Sequence, residues 1–222
     1  MSDFARARLN MVDGQIRPHS VTDWRIIDAM RVVPREAFVR DDQKCLAYLD
    51  QDIDLDGTGG DFRHVLLDPT VTARLLQSAE IGHGENVLVV GGATGYVAAL
   101  VAKLADRVVT TVDDEAMAAQ ARATLAELGL ANVTVRVAPC GEGAPADAPF
   151  DVIILNGATE IEPTGLYDQL KLNGRLVGAF ATERPQRATV ITRSHCDFGS
   201  RVLFDTSVPV LPGLRRVPTF VF

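Results

Sequence analysis

The residues best suited to holding a ligand are Gly91, Gly92, Ala93, Thr94 and Gly95, which follow directly on four apolar residues, 87–90. Glycines placed there let the backbone turn sharply and approach a ligand at the start of a helix. In nucleotide-binding folds a carboxylate about 20 residues further on, at the end of the next strand, takes the ribose hydroxyls. Asp113 stands at that distance, with Asp114 beside it. Either acid would also suit the first turn of a helix, where negative charge is favoured. The loop is out of register with G-x-G-x-x-G, which counts against NAD or FAD and leaves nicotinamide-dependent reduction as a minor alternative.

Other constellations are sparse. His19, His64, His83 and His195 are scattered, with no Ser-His-Asp or metal-ligand spacing, and read as surface or structural histidines. No G-x-S-x-G elbow occurs. The acidic run 50–61 alternates Asp in the manner of a calcium loop. It has Asp61 where that motif needs Glu and Leu55 where it needs Gly, so a solvated loop, placed to act as a lid, is the better reading. Asp68-Pro69 has the form of a helix N-cap followed by proline at the first helical position, which gives Asp68 a structural role ahead of a catalytic one.

Around these residues the sequence predicts strands alternating with helices. Residues 2–17 form an amphipathic helix stopped by Pro18, and a second helix opens at Thr22 and runs to Pro34. A third follows Pro69, with Val71, Leu75, Leu76 and Ala79 on one face. The apolar run 87–90 predicts a parallel strand buried on both faces, followed by a helix over 96–104. Strands at 107–112, 133–137 and 151–155 come next, with an Ala-rich helix between the first two and a short helix at 163–170. A strand at 175–180 precedes a closing antiparallel hairpin from 188–193 and 201–208. The fold class is therefore α/β, a Rossmann-like doubly wound sheet with an antiparallel edge and an N-terminal helical extension. One domain is expected over 1–222: a helical and lid extension (1–68), a nucleotide-fold core (69–182), and a hairpin with an apolar, basic tail (183–222).

Bulk composition narrows the partners. A net charge of −7 argues against a broad nucleic-acid or anionic-membrane surface. No apolar run approaches the ~20 residues of a membrane span. Cys45, Cys140 and Cys196 are odd in number and far apart, as expected of free thiols in a reducing, cytoplasmic setting.

Taken in order, several blocks resemble the protein-L-isoaspartate O-methyltransferases, enzymes of the S-adenosylmethionine methyltransferase type. Met11-Val12-Asp13-Gly14-Gln15-Ile16-Arg17 is similar to that family's opening helix. Residues 29–39 (Ala-Met-Arg-Val-Val-Pro-Arg-Glu-Ala-Phe-Val) resemble its signature after the second helix, and Leu46-Ala47-Tyr48 the segment beyond. Val87-Leu88, Gly91, Gly95-Tyr96 and Ala98-Ala99-Leu100 match the cofactor loop. Ala148-Pro149-Phe150-Asp151 and residues 170–177 match two later blocks. The resemblance implies S-adenosylmethionine as cofactor, isoaspartyl-containing peptides or proteins as partners, and methyl transfer to the side carboxylate, the first step of protein repair. Such chemistry rests on positioning and desolvation, because the carboxylate is already a nucleophile.

The sequence also departs from the family pattern at the residues that would bind. The family serine beside the reacting carboxylate falls on Leu67, leaving the catalytic residue unassigned. Val89 takes the place of a Glu before the loop and Ala93 that of its middle Gly. An ungapped match puts the ribose acid on Val112, one residue from Asp113, and the adenine-side acid on Pro139. Each lost hydrogen bond to a charged group is worth roughly 1.5–3 kcal/mol, so cofactor binding is expected to be weakened or lost unless something compensates. Two readings follow. One is a working isoaspartyl methyltransferase using residues 91–95 with Asp113 or Asp114; the other is a non-catalytic binding or regulatory module on the same fold.

Overall fold

A computed structural model of the protein describes residues 3–57 and 64–217; residues 58–63 of the acidic stretch and 218–222 of the tail lie outside them. The centre is a seven-stranded sheet, with continuous apolar runs in its central strands β3 and β6: β3 (Asn86–Val90), β4 (Arg107–Val112), β5 (Val133–Val137), β6 (Phe150–Thr159), β7 (Leu170–Phe180), β8 (Arg187–Arg193) and β9 (Phe198–Asp205). Their order is β5-β4-β3-β6-β7-β8-β9. The first five are parallel, and β8 and β9 add antiparallel pairings at one edge. Chain order runs outward from β3 to β5, then returns to β6 on the other side of β3. The switch point, where ligands sit in such sheets, therefore lies between the carboxyl ends of β3 and β6.

Alternate residues of each central strand face opposite sides. Val87, Val89, Val152, Ile154 and Val177 join the core cluster that also holds the N-terminal helices. Leu88, Val90, Ile153, Leu155 and Leu176 join a second cluster, to which Leu211 and Leu214 of the tail also belong. Both faces of β3 are thus buried, which is why its sequence does not alternate.

The N-terminal layer consists of α1 (Asp3–Met11), continued by a wider five-residue turn and a 3-10 turn through Pro18, then α2 (Trp24–Val32) and α3 (Pro69–Ala79). The cap of α2 is Asp23, one residue past Thr22: its carboxylate accepts from Arg25 N, while Thr22 N donates to Gln77 Oε1 at 2.6 Å. Asp68 caps α3 as expected, accepting from Val71 N at 2.8 Å, with Pro69 at the first helical position. Val71 is only half buried; Ala73, Leu75, Leu76 and Ala79 form the inward face. Part of the acidic stretch is ordered rather than loop: β1 (Ile53–Asp54) pairs antiparallel with β2 (Val65–Leu66).

The crossover helices are α4 (Tyr96–Val101), α5 (Glu115–Glu127) and α6 (Thr164–Tyr167). α4 ends three residues short of the expected 104. α6 covers only the middle of 163–170, because the chain passes into β7 at Leu170. Arg35, fully buried, ties the N-terminal layer to α4. Its guanidinium donates to Ala47 O at 2.6 Å and Leu67 O at 2.5 Å and lies 4.9 Å from the ring centre of Tyr96, the first residue of α4. Burial pulls its pKa below the usual guanidinium value, an effect that Tyr96 opposes.

Candidate functional site

The β3–α4 loop turns at the switch point through three left-handed residues, Gly91 (φ +71°), Ala93 (φ +47°) and Gly95 (φ +98°). Glycine tolerates this region and an L residue does not, so Ala93 carries a cost of roughly 1–2 kcal/mol that the family's glycine avoids. The loop is fixed from several sides. Gly92 N donates to Thr111 O at 2.8 Å, and Gly95 N to Gly92 O at 2.8 Å. The Thr94 hydroxyl donates to Phe38 O at 2.7 Å, and Asn156 Nδ2 donates to Gly91 O at 2.8 Å. Thr94 is therefore committed to the N-terminal layer, and a Cβ on Gly95 would press on Leu125 of α5. Of the five loop residues, Gly91 is the one that lines the cleft.

The two candidate acids part company. Asp114 is the N-cap of α5, accepting from Met117 N at 2.8 Å. Asp113 points into the cleft, where its Oδ1 lies 2.6 Å from His64 Nε2. The other ring nitrogen of His64 lies 2.6 Å from Asp56 Oδ1, and His64 N donates to Asp56 Oδ2 at 2.8 Å. A neutral imidazole has one N–H and cannot donate to both carboxylates, so this geometry calls for the imidazolium. Burial alone would depress the His64 pKa, but the bonds to Asp56 and Asp113 reverse the effect and leave it raised. Beside them lies Cys140, whose thiol is pushed up to about 12, first by burial and then by the Asp113 carboxylate.

The remaining wall comes from the tail. Beyond β9 the chain returns across the carboxyl ends of β3 and β6 as a strap, residues 208–214. Val208 N donates to Gln186 Oε1 at 2.6 Å, and Gln186 Nε2 donates to Val208 O at 3.1 Å. Ala158 N donates to Pro209 O at 2.8 Å, Leu211 N to Ala158 O at 2.9 Å, and Glu160 N to Leu214 O at 2.9 Å. This anchoring drives Leu211, only 5% exposed, into the switch point. Its Cδ2 lies 2.5 Å from where a Cβ on Gly91 would stand and 2.9 Å from one on Gly157. The cavity left among His64, Gly91, Asp113, Cys140, Asn156 and Leu211 is about 10 Å³, room for one water molecule at most.

These features match a known family. The family model for protein-L-isoaspartate(D-aspartate) O-methyltransferase matches residues 7–207. The chain belongs to this family. Among curated relatives it is similar to protein-L-isoaspartate O-methyltransferase 1 of Rhodopseudomonas palustris, 36% identical over 218 residues, covering 98% of this chain and 84% of the relative. It is also similar to the Methylorubrum extorquens enzyme, 36% identical over 214 residues, covering 96% and 91%. The fold matches a solved protein-L-isoaspartate O-methyltransferase with a TM-score of 0.81 at 22% identity, over 92% of this chain and 66% of that one. It also matches the structure of a putative protein-L-isoaspartate O-methyltransferase of Plasmodium falciparum in complex with S-adenosyl-L-homocysteine, with a TM-score of 0.76 at 16% identity, over 92% of this chain and 97% of that one. The sheet is thus the Rossmann-like one of the S-adenosylmethionine methyltransferases, with an antiparallel edge. No helix among the described residues is long and apolar enough to cross a membrane.

Against the family pattern, Leu67 is not at the cleft surface. It is 1% exposed within the main core, and its carbonyl accepts from Arg35. Pro139 is exposed, and the neighbouring Cys140 faces the cleft in its place. Of the residues singled out in sequence, Gly91 and Asp113 converge on the cleft; Gly92, Ala93, Thr94, Gly95, Asp114 and Leu67 build the structure around it. His64, Asn156 and Leu211 line the cleft without having been singled out. His64 carried one usable signal, a histidine at the end of an acidic run; Leu211 carried none. An adenosyl amino acid does not fit the cleft in this conformation. Leu211 fills the cradle that Gly91 offers, and the carboxylate expected on the ribose is bridged by His64.

Proposed function

We propose that this chain takes the reaction of its family, transfer of a methyl group from S-adenosylmethionine to the carboxylate of isoaspartyl residues in proteins or peptides. The observation that carries this reading is the extent of the family match, residues 7–207, which takes in the N-terminal layer and the whole sheet and leaves only the strap 208–214 of the cleft wall outside it. Gly91 and Asp113 are the residues assigned to the cofactor cleft. Gly92, Ala93, Thr94 and Gly95 hold the loop in shape, and Asp114 starts the helix behind it.

Two observations favour a second reading. Leu211 in the cradle, together with Leu67 buried where the family has a hydroxyl, fits a non-catalytic module that has closed the ancestral cleft around its own tail. The assay that separates the readings combines labelled S-adenosylmethionine, an isoaspartyl peptide and the purified full-length chain. Base-labile methyl ester on the peptide supports the enzyme. Absence of label, with no calorimetric heat from millimolar S-adenosylhomocysteine, supports the module.

A further inference from the structure

We infer that the strap 208–214 is a built-in competitor for the cofactor cleft, so that an adenosyl amino acid enters only when Leu211 leaves. The inference rests on the methyltransferase reading for the identity of the ligand, and on three independent observations for the competition. Leu211 Cδ2 occupies the space directly above Gly91, the backbone that a ligand at the switch point must approach. The free volume beside it is about 10 Å³, so ligand and side chain exclude each other. Besides the buried side chains of Val208, Leu211 and Leu214, the strap is held by separable polar contacts: two with Gln186, three backbone bonds to Ala158 and Glu160, and one from Arg216 N to Glu160 Oε2. Such an attachment can detach without unfolding the sheet, whose strands pair independently of it. The strap also begins where the family match ends, at residue 207.

The buried thiol supplies a readout that does not require turnover. Cys140 lines the same cavity as Leu211, whereas Cys45 and Cys196 are exposed. In a full-length Cys45→Ser, Cys196→Ser background, the rate of Cys140 alkylation measures how often the strap lifts. Two variants loosen it by different routes. Leu211→Asp sets a second carboxylate in a dry site beside Asp113, and Gln186→Ala removes both side-chain bonds to Val208 without touching the cleft. Circular dichroism and thermal melting establish that each is folded; should Leu211→Asp fail this, Gln186→Ala carries the test.

The expected result is Cys140 alkylation faster by about tenfold in the variants, the effect of roughly one hydrogen bond's worth of strap stability, with S-adenosylhomocysteine affinity rising by a similar factor. Equal affinity in all three chains would overturn the competition while leaving the methyltransferase reading intact. Unchanged alkylation in folded variants would overturn it too, because the strap would then not be what covers the cleft. Faster alkylation with no heat from S-adenosylhomocysteine in any chain would overturn both the competition and the methyltransferase reading.

Discussion

Placing Leu211 over Gly91 has a consequence for stability alone, measurable with no ligand present. Gly91→Ala must adopt φ near +71°, at a cost of roughly 1–2 kcal/mol for an L residue. Its new methyl would stand 2.5 Å from Leu211 Cδ2, an overlap in the range of about 1–3 kcal/mol for an overpacked core. The lower unfolded-state entropy of alanine returns about 0.4–1 kcal/mol, leaving a net loss of about 2–4 kcal/mol. Leu211→Ala, at a nearly buried site on a strap able to settle inward, should cost about 2–3 kcal/mol. In the double variant the methyl of residue 91 lies in the space that Leu211 has vacated, so the overlap disappears and only the backbone cost remains. Urea unfolding of the four chains at neutral pH should therefore give a double-variant loss smaller than the sum by about 1–3 kcal/mol. Additivity to within about 0.5 kcal/mol would refute the placement of Leu211 in the cradle.

Three further outcomes test other parts of the site. His64→Asn should lower stability by about 3 kcal/mol in mildly acidic solution, since bonds to charged groups are worth roughly 1.5–3 kcal/mol each. Because the folded-state pKa of His64 is raised, its contribution is full below the unfolded value of 6.5 and is lost as pH rises through the folded value. The gap from wild type in urea melts should narrow toward alkaline pH, and a widening gap would contradict the imidazolium bridge. Leu67→Ser, although it restores the family residue, should cost about 3–5 kcal/mol by emptying a core position and burying a hydroxyl, and should not raise S-adenosylhomocysteine affinity in calorimetry. For Asp147, the bond from Arg136, aided by Arg107 and opposed by burial, holds the folded pKa below the ordinary 3.8. Asp147→Asn should therefore lower Tm at neutral pH, and the difference should close as pH falls below 3.8 through the folded value.

The centre of the sheet, β3, β4 and β6, was legible because burial on both faces leaves a plain signal. The runs at β4 and β5 end at the residues expected, and β3 differs by one. β7 was harder: expected over 175–180, the strand begins at Leu170 and absorbs Asn173 at φ +63°. The choice between Asp113 and Asp114 lay beyond the sequence, since adjacent acids at a strand–helix junction satisfy the same pattern and only the chain's direction decides which one caps. His64 escaped because its partner Asp113 is 49 residues away and comes from another layer. Leu67 takes the place of the family serine, but a match of motifs preserves register and not depth, so its burial in the core had no signal in the sequence. Leu211 looked like any apolar tail residue, and only the return of the strap across β6 gives it a place.

The strap adds a thermodynamic property to the cleft that no free inhibitor could. Leu211 is tethered to β9 through a handful of residues, so its effective concentration at Gly91 is fixed by the chain, on the order of millimolar for short linkers, and diluting the protein cannot lower it. A ligand for this cleft therefore faces an occupant present at constant activity, and its apparent affinity is its intrinsic affinity scaled by the fraction of chains with the strap lifted. Any partner that holds the strap away would raise that fraction, and so would set the ligand affinity of the cleft without touching it.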